Sequence, residues 1–146
     1  MKKLILIAII LVSLAGVADS GYALKQHYAP ADISSCDVNE TISCTAVNQS
    51  KYSELFGLPV AGIGIAGYVT IGLLAGAVLY RKSSASVLLN LLAGMAIVAL
   101  AVSLYLTYIE LFILHAVCPL CMLSLLLTIT TATLAIRAQM LNARKD

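Results

Sequence analysis

The chain has 146 residues, of which 61% are hydrophobic and 11% charged. Soluble domains carry about 25% charged residues, so the composition excludes an ordinary soluble domain and indicates a polytopic membrane protein of single-domain size. The net charge of +2 comes without a basic or acidic block, which leaves no electrostatic footprint for nucleic acid.

Lys2 and Lys3 precede an apolar run from Leu4 to Leu24 whose only charge is Asp19. At about 1.5 Å per residue the run covers roughly 30 Å, enough to cross a bilayer core. A cleaved signal peptide is the competing reading, but the run is long for a signal of that kind. The segment 25–57 is the one long polar stretch, with Asp32, Asp37, Glu40 and Glu54 set against Lys25 and Lys51. Asp37 and Glu40 resemble a helix-capping pair. Thr45 to Phe56 is predicted as a short helix, stopped by Gly57 and Pro59, with Val47, Leu55 and Phe56 laid on the membrane surface.

Leu58 to Tyr80 is uncharged and forms the second predicted span. Gly72 and Gly76 make a small-xxx-small pair that lets helices approach closely. Tyr22 and Tyr80 fall near the ends of apolar runs, where amphipathic rings suit the interface. After the basic turn at Arg81 and Lys82, the third span is predicted at about 86–110. A short connection holding His115 leads to the fourth, at about 118–137.

Four spans put both termini on one side. Lys2, Lys3, Arg81, Lys82, Arg137, Arg144 and Lys145 share that side, seven of the nine basic residues. By the positive-inside rule it is the cytoplasm. The expected fold is therefore all-α: one domain over 1–146, a four-transmembrane-helix bundle in the inner or plasma membrane. The long loop 25–57 is extracytoplasmic.

All four cysteines then lie at the outer face. Cys36 and Cys44 are in the long loop, and Cys118 and Cys121 open the fourth span as Cys118-Pro119-Leu120-Cys121. Two cysteines three apart on a helix share a face. With Pro119 just inside the helix, Cys118 falls near the N-cap and Cys121 near the third position, where the helix dipole favours thiolate. The outer compartment permits disulfides. Four thiols allow three pairings. A mobile loop pair beside a fixed helix-end pair can pass two electrons by exchange. Zinc is the alternative, but the seven residues between Cys36 and Cys44 miss its usual ligand spacing. A non-enzymatic protein stapled by structural disulfides is the other.

No haem pair, flavin motif or dinucleotide fingerprint is apparent, so a lipid-soluble quinone between the spans is the electron acceptor that needs no such motif. It requires an apolar pocket with a few polar groups beside Cys121. Tyr105, Tyr108 and Glu110, at the outer end of the third span, are the candidates to line it. Interface anchoring is the alternative for each tyrosine. Glu110 is either a solvated helix end or, if it points into the bundle, a costly and therefore functional acid; Asp19 has the same two readings. His115 is a candidate to stabilise a thiolate or relay a proton.

Cys36-Asp37-Val38, Ser43-Cys44, Ser50 six residues after Cys44, Phe56-Gly57-Leu58-Pro59 and the Cys118–Cys121 motif together resemble the vitamin K epoxide reductase family, in its bacterial and archaeal form. The match in order and spacing covers essentially the whole chain. The resemblance implies that Cys36 exchanges with a thioredoxin-like (DsbA-like) partner. It also implies that Cys44 passes electrons to Cys118 through a transient Cys44–Cys118 disulfide, and that Cys121 is the thiolate beside the quinone. Ser50 matches the loop Ser or Thr that assists the geometry of the loop or site. Because the chain ends at Asp146, the partner is expected to be a separate protein. The animal enzymes carry Tyr where Leu125 stands, and their quinone-binding Asn has no counterpart near Val60. The expected reaction is thus reduction of a quinone of ubiquinone, menaquinone or vitamin K type, coupled to disulfide formation, with no metal.

Overall fold

The computed structural model describes residues 1–28, 36–39, 41–55, 57–80 and 85–143. Helix α1 is Lys2–Tyr28, and a short α2 is Cys44–Asn48. Strands β1 (Glu54–Leu55) and β2 (Leu58–Pro59) form a small hairpin. Then come α3 (Val60–Tyr80), α4 (Ala85–Ile109), a π-helical turn (Glu110–Leu114) and α5 (Pro119–Ala143). Four of these helices are long and apolar enough to cross a membrane, so the protein is an all-α polytopic membrane protein. Helix α5 continues six residues beyond the expected stop at Arg137: Ala138 is fully buried, and Gln139 Nε2 donates to Asn90 Oδ1 at 2.8 Å. Packing on α4 thus carries the helix past its first charge.

The bundle has two unlike halves. The half holding the termini is closed. Leu6 and Ile9 of α1, Ile71, Ala75 and Val78 of α3, Leu89, Leu92, Ala93 and Ala96 of α4, and Ala132, Ala135 and Ala138 of α5 form one core. The spacings 89, 92, 93, 96 and 132, 135, 138 put those residues on one helix face, and alanine on α5 lets the axes come close. At the same end Lys2 Nζ donates to Asn142 Oδ1 at 2.6 Å, tying the two terminal helices together.

Helices α1 and α3 pack closest through small residues. A Cβ on Gly16 would collide with the Tyr68 ring, one on Gly64 would lie 2.9 Å from Ser20 Oγ, and one on Gly72 would lie 3.4 Å from Ser13 Cβ. Of the predicted glycine pair, Gly72 makes such an approach, while Gly76 faces open space.

The loop departs from expectation in three ways. Helix α2 covers Cys44–Asn48 in place of a helix over Thr45–Phe56, because turns at 49–53 and the hairpin take the remaining residues. Gly57, at φ 78°, serves the hairpin turn in place of a helix C-cap. Asp37 serves the start of α2: its Oδ1 accepts from Ser43 Oγ at 2.9 Å and from the Thr45 N–H at 3.1 Å. Ser43 is the N-cap, accepting from the Ala46 N–H at 3.0 Å. Hydrogen bonds from Thr45 first, then from Ser43 and Cys44, hold the Asp37 carboxyl below its usual pKa. Val47, expected on the membrane surface, is buried against the cysteines. Asp32, Glu40, Phe56, Arg81, Lys82, Arg144 and Lys145 lie outside the described residues.

Replacing Gly16 with Ala should cost about 1–3 kcal/mol of stability through overpacking against Tyr68, read as a lower Tm in detergent. Gly76→Ala should hold or raise Tm, since nothing obstructs the added methyl and alanine favours helix.

Candidate functional site

The polypeptide brings the four cysteines to one end of the bundle, opposite the termini. Cys118 immediately precedes α5, and the Met122 N–H donates to its carbonyl at 3.1 Å in the first helical turn. Pro119, lacking an N–H, starts the helix at no hydrogen-bonding cost. The loop reaches this point through a parallel bridge between Ile42 and Val117. The Val117 N–H donates to Thr41 O at 2.8 Å, and the Ser43 N–H to Val117 O at 3.2 Å. One residue beyond this docking point on each strand stand Ser43 and Cys118, with Cys44 next. Cys44 Sγ lies 3.3 Å from Cys118 Sγ, and both residues are fully buried. Reacting atoms in a near-attack arrangement are about 3–3.5 Å apart.

Cys36 and Cys44 form a disulfide with Cα atoms 5.8 Å apart, while Cys118 and Cys121 are free thiols. Val47, Ala116, Leu114 and Leu120 cover the group and keep water out. A hydrogen bond with the Cys121 thiol is the main influence lowering the Cys118 pKa. Burial and the Glu110 charge oppose it, and the N–H groups of Cys121 and Leu120 at the helix start assist it. The net effect favours the thiolate, the species that attacks a disulfide. Asn48 Nδ2 adds a donor 3.7 Å from Cys118 Sγ while also donating to Cys44 O at 3.1 Å.

Glu110 is buried at the first position of the π-helical turn. Its Oε2 accepts from the Cys118 N–H at 3.3 Å, and the Cys121 thiol faces the carboxyl. Its Oε1 is buried without a hydrogen-bond partner. The π-turn rotates Glu110 inward from the end of α4, a helical irregularity frequent at functional sites. His115 ends that turn in the left-handed conformation, φ 51°, and its side chain is exposed. It stands as a connection residue.

Below the cysteines the bundle opens into a cavity of about 580 Å³, within the range of small-molecule sites. Glu110, Leu114, Leu120 and Ser124 line its end nearest the cysteines, and Glu110, which the Cys121 thiol faces, separates them from the cavity, since no cysteine is itself a lining residue. His27, Ser50 and Ser53 line its loop end, and Asp19 and Tyr68 line it further along the bundle. Ser50 Oγ donates to Val47 O at 2.8 Å, closing the turn after α2. His27 Nδ1 is hydrogen-bonded with Asn48 O, and Nε2 is 3.4 Å from Glu54 Oε1, so the end of α1 holds the loop in place.

Glu110 lines the cavity; the two tyrosines predicted with it do not. Tyr105 is 63% and Tyr108 55% exposed, and Tyr108 stacks on Phe112 at 4.9 Å between ring centroids. Neither tyrosine is among the cavity-lining residues of α4, which include Val98, Val102, Leu106 and Ile109. Among the described residues no group of three or more His, Cys, Asp or Glu side chains gathers as a metal site. Asn48 was not singled out from sequence, although its place four residues after Cys44 puts both on one helix face.

Asn48→Leu keeps the bulk and removes the donor. Hydrogen bonds to charged groups contribute about 1.5–3 kcal/mol, so the Cys118 thiolate should form about one pKa unit higher. Ultraviolet thiolate absorbance against pH measures this. An unchanged titration would remove Asn48 from the site.

The sequence profile of the vitamin K epoxide reductase family matches residues 7–136. No curated protein matches the chain. The match covers most of the 146 residues and embraces all four cysteines, the loop and the four long helices. The chain, a membrane oxidoreductase with a Cys36–Cys44 disulfide, belongs to the vitamin K epoxide reductase family.

Proposed function

We propose that the protein oxidises the dithiol of a separate thioredoxin-like partner and delivers the electrons to a quinone in the bundle cavity. The observation that carries this reading is the 3.3 Å contact between Cys44 and Cys118, which joins the loop pair to the helix pair. The cavity supports the quinone assignment: it is largely apolar, of suitable volume, and bounded beside Cys121 by one buried acid, Glu110. Lys2, Lys3 and Arg137 at the opposite end favour an orientation with the termini in the cytoplasm and the cysteines outside.

The cycle balances in four steps. Cys118 and Cys121 lose two electrons and two protons to the quinone, giving their disulfide and a quinol. A partner thiolate attacks Cys36, breaking Cys36–Cys44 and releasing the Cys44 thiolate; the partner's second thiol then resolves the mixed disulfide. Cys44 attacks Cys118, forming Cys44–Cys118 and freeing Cys121. Cys36 finally attacks Cys44, which restores the loop disulfide and the reduced helix pair. The structure, with its loop pair oxidised and its helix pair reduced, corresponds to the stage awaiting the quinone. Ser50 supports the turn that follows Cys44, and Glu110 forms the polar wall at the sulfur end.

Cys121→Ala should abolish quinol formation with any donor. Cys36→Ala should lose turnover with a thioredoxin-like donor but retain it with dithiothreitol. Quinone absorbance on purified protein measures both, and equal loss in the two variants would contradict this division of labour.

A further inference from the structure

Asp19 is an acid in the middle of a membrane-crossing helix, nine residues from the outer end of α1. It is 8% exposed, lines the cavity, and has an Oδ1 that is buried with no hydrogen-bond partner. A purely structural carboxyl would have both oxygens satisfied. The Ser124 hydroxyl faces the carboxyl. Tyr68 holds that serine: its hydroxyl donates to Ser124 O at 3.2 Å and lies 3.3 Å from Ser124 Oγ. Three helices thus converge on one polar point, while the rest of the wall at this depth is mainly aliphatic.

The placement relative to sulfur gives the cluster a task. Ser124 follows Cys121 by three residues, so it stands about one helical turn, roughly 5 Å, further into the bundle on nearly the same face. Among the described residues, Glu110 and Asp19 are the two carboxyl side chains lining this cavity, so a quinone that meets Glu110 with one oxygen has Asp19 as the other carboxylic acid within the same space. Reduction places negative charge on both oxygens, and the aliphatic surroundings supply no other acid at the deeper end.

We propose that Asp19, oriented by Ser124 and Tyr68, is the acid that protonates the quinone oxygen distal to Cys121. The proposal rests on the quinone reading above. As the electron pair from Cys118 and Cys121 enters the ring, Asp19 gives its proton to the distal oxygen and is left as carboxylate. Glu110, on the sulfur side, is placed to pass a thiol proton to the proximal oxygen. When the quinol leaves, the same cavity runs from Asp19 to the polar side chains of Ser50, Ser53 and His27 at the loop end. The second thiol proton is released to the aqueous phase, and one taken up along those side chains restores Asp19. Two protons leave the thiols, two reach the quinol, and Asp19 is restored.

The test compares purified wild-type protein with Asp19→Asn and Asp19→Glu in quinone turnover, quinone binding, and disulfide exchange between the loop and helix pairs. Asparagine keeps a hydrogen-bond donor but has no acidic proton. Asp19→Asn should therefore bind the quinone and exchange disulfides as the wild type does, with kcat lower by about 10²-fold, a typical general-acid contribution. Asp19→Glu should recover part of that loss. Wild-type kcat in Asp19→Asn, or equal loss of exchange and turnover, would overturn the proposal. If Asp19→Asn does not accumulate in the membrane, Ser124→Ala is read instead: a lower kcat at unchanged quinone affinity supports the role, and an unchanged kcat overturns it. Absence of quinone reduction by the wild type would overturn the underlying reading, and the role of Asp19 with it.

Discussion

The site depends on a short piece of backbone pairing. Ile42 and Val117 lie in a parallel bridge that fixes the register between the loop preceding α3 and the chain entering α5. Cys44 follows Ile42 by two residues and Cys118 follows Val117 by one. A slip of one residue would point a side chain to the opposite face and separate the two sulfurs. The pairing is reinforced on both sides. Ser43 and Asp37 cap the short helix that carries Cys44, and His27 binds the far end of that helix to α1. The loop is long and polar, yet its described residues are held by α1 and by the chain entering α5.

The division of the bundle serves the same chemistry. At the cysteine end Val47, Ala116 and Leu120 keep water from the sulfurs, as the proposed exchange requires. The next layer holds the cavity proposed for the quinone ring, where Gly67 and Gly94 leave room. The innermost layer needs to be tight, and the alanine face of α5 packs there against Leu89 and Leu92. Buried acids in membrane helices cost about 2.5–3.5 kcal/mol on insertion scales. Two of them, Asp19 and Glu110, face the roomy layer.

Much of this could be read from the sequence because hydropathy and charge distribution are strong signals in membrane proteins. The four spans and the position of Cys118 before α5 follow from run lengths and Pro119, whereas the burial of Glu110 does not, since an acid at a helix end is ordinarily solvated. The failures share one cause, that local pattern does not specify long-range contact. Thr45 to Phe56 resembled a helix because capping residues flanked it, but the hairpin into α3 claimed Glu54 and Leu55. Tyr105 and Tyr108 are close to Glu110 in sequence, yet their side chains are exposed and are not among those lining the cavity. Asn48 became significant only when Cys118, seventy residues away, was brought beside it.

The most direct measurement concerns the contact on which everything else rests. With Cys36→Ala and Cys121→Ala combined, Cys44 and Cys118 are the remaining thiols. Mild oxidation of this protein in membranes should join them quantitatively into one disulfide, identified by mass spectrometry of the linked peptides. Recovery of both as free thiols, or only as intermolecular dimers, would contradict the account.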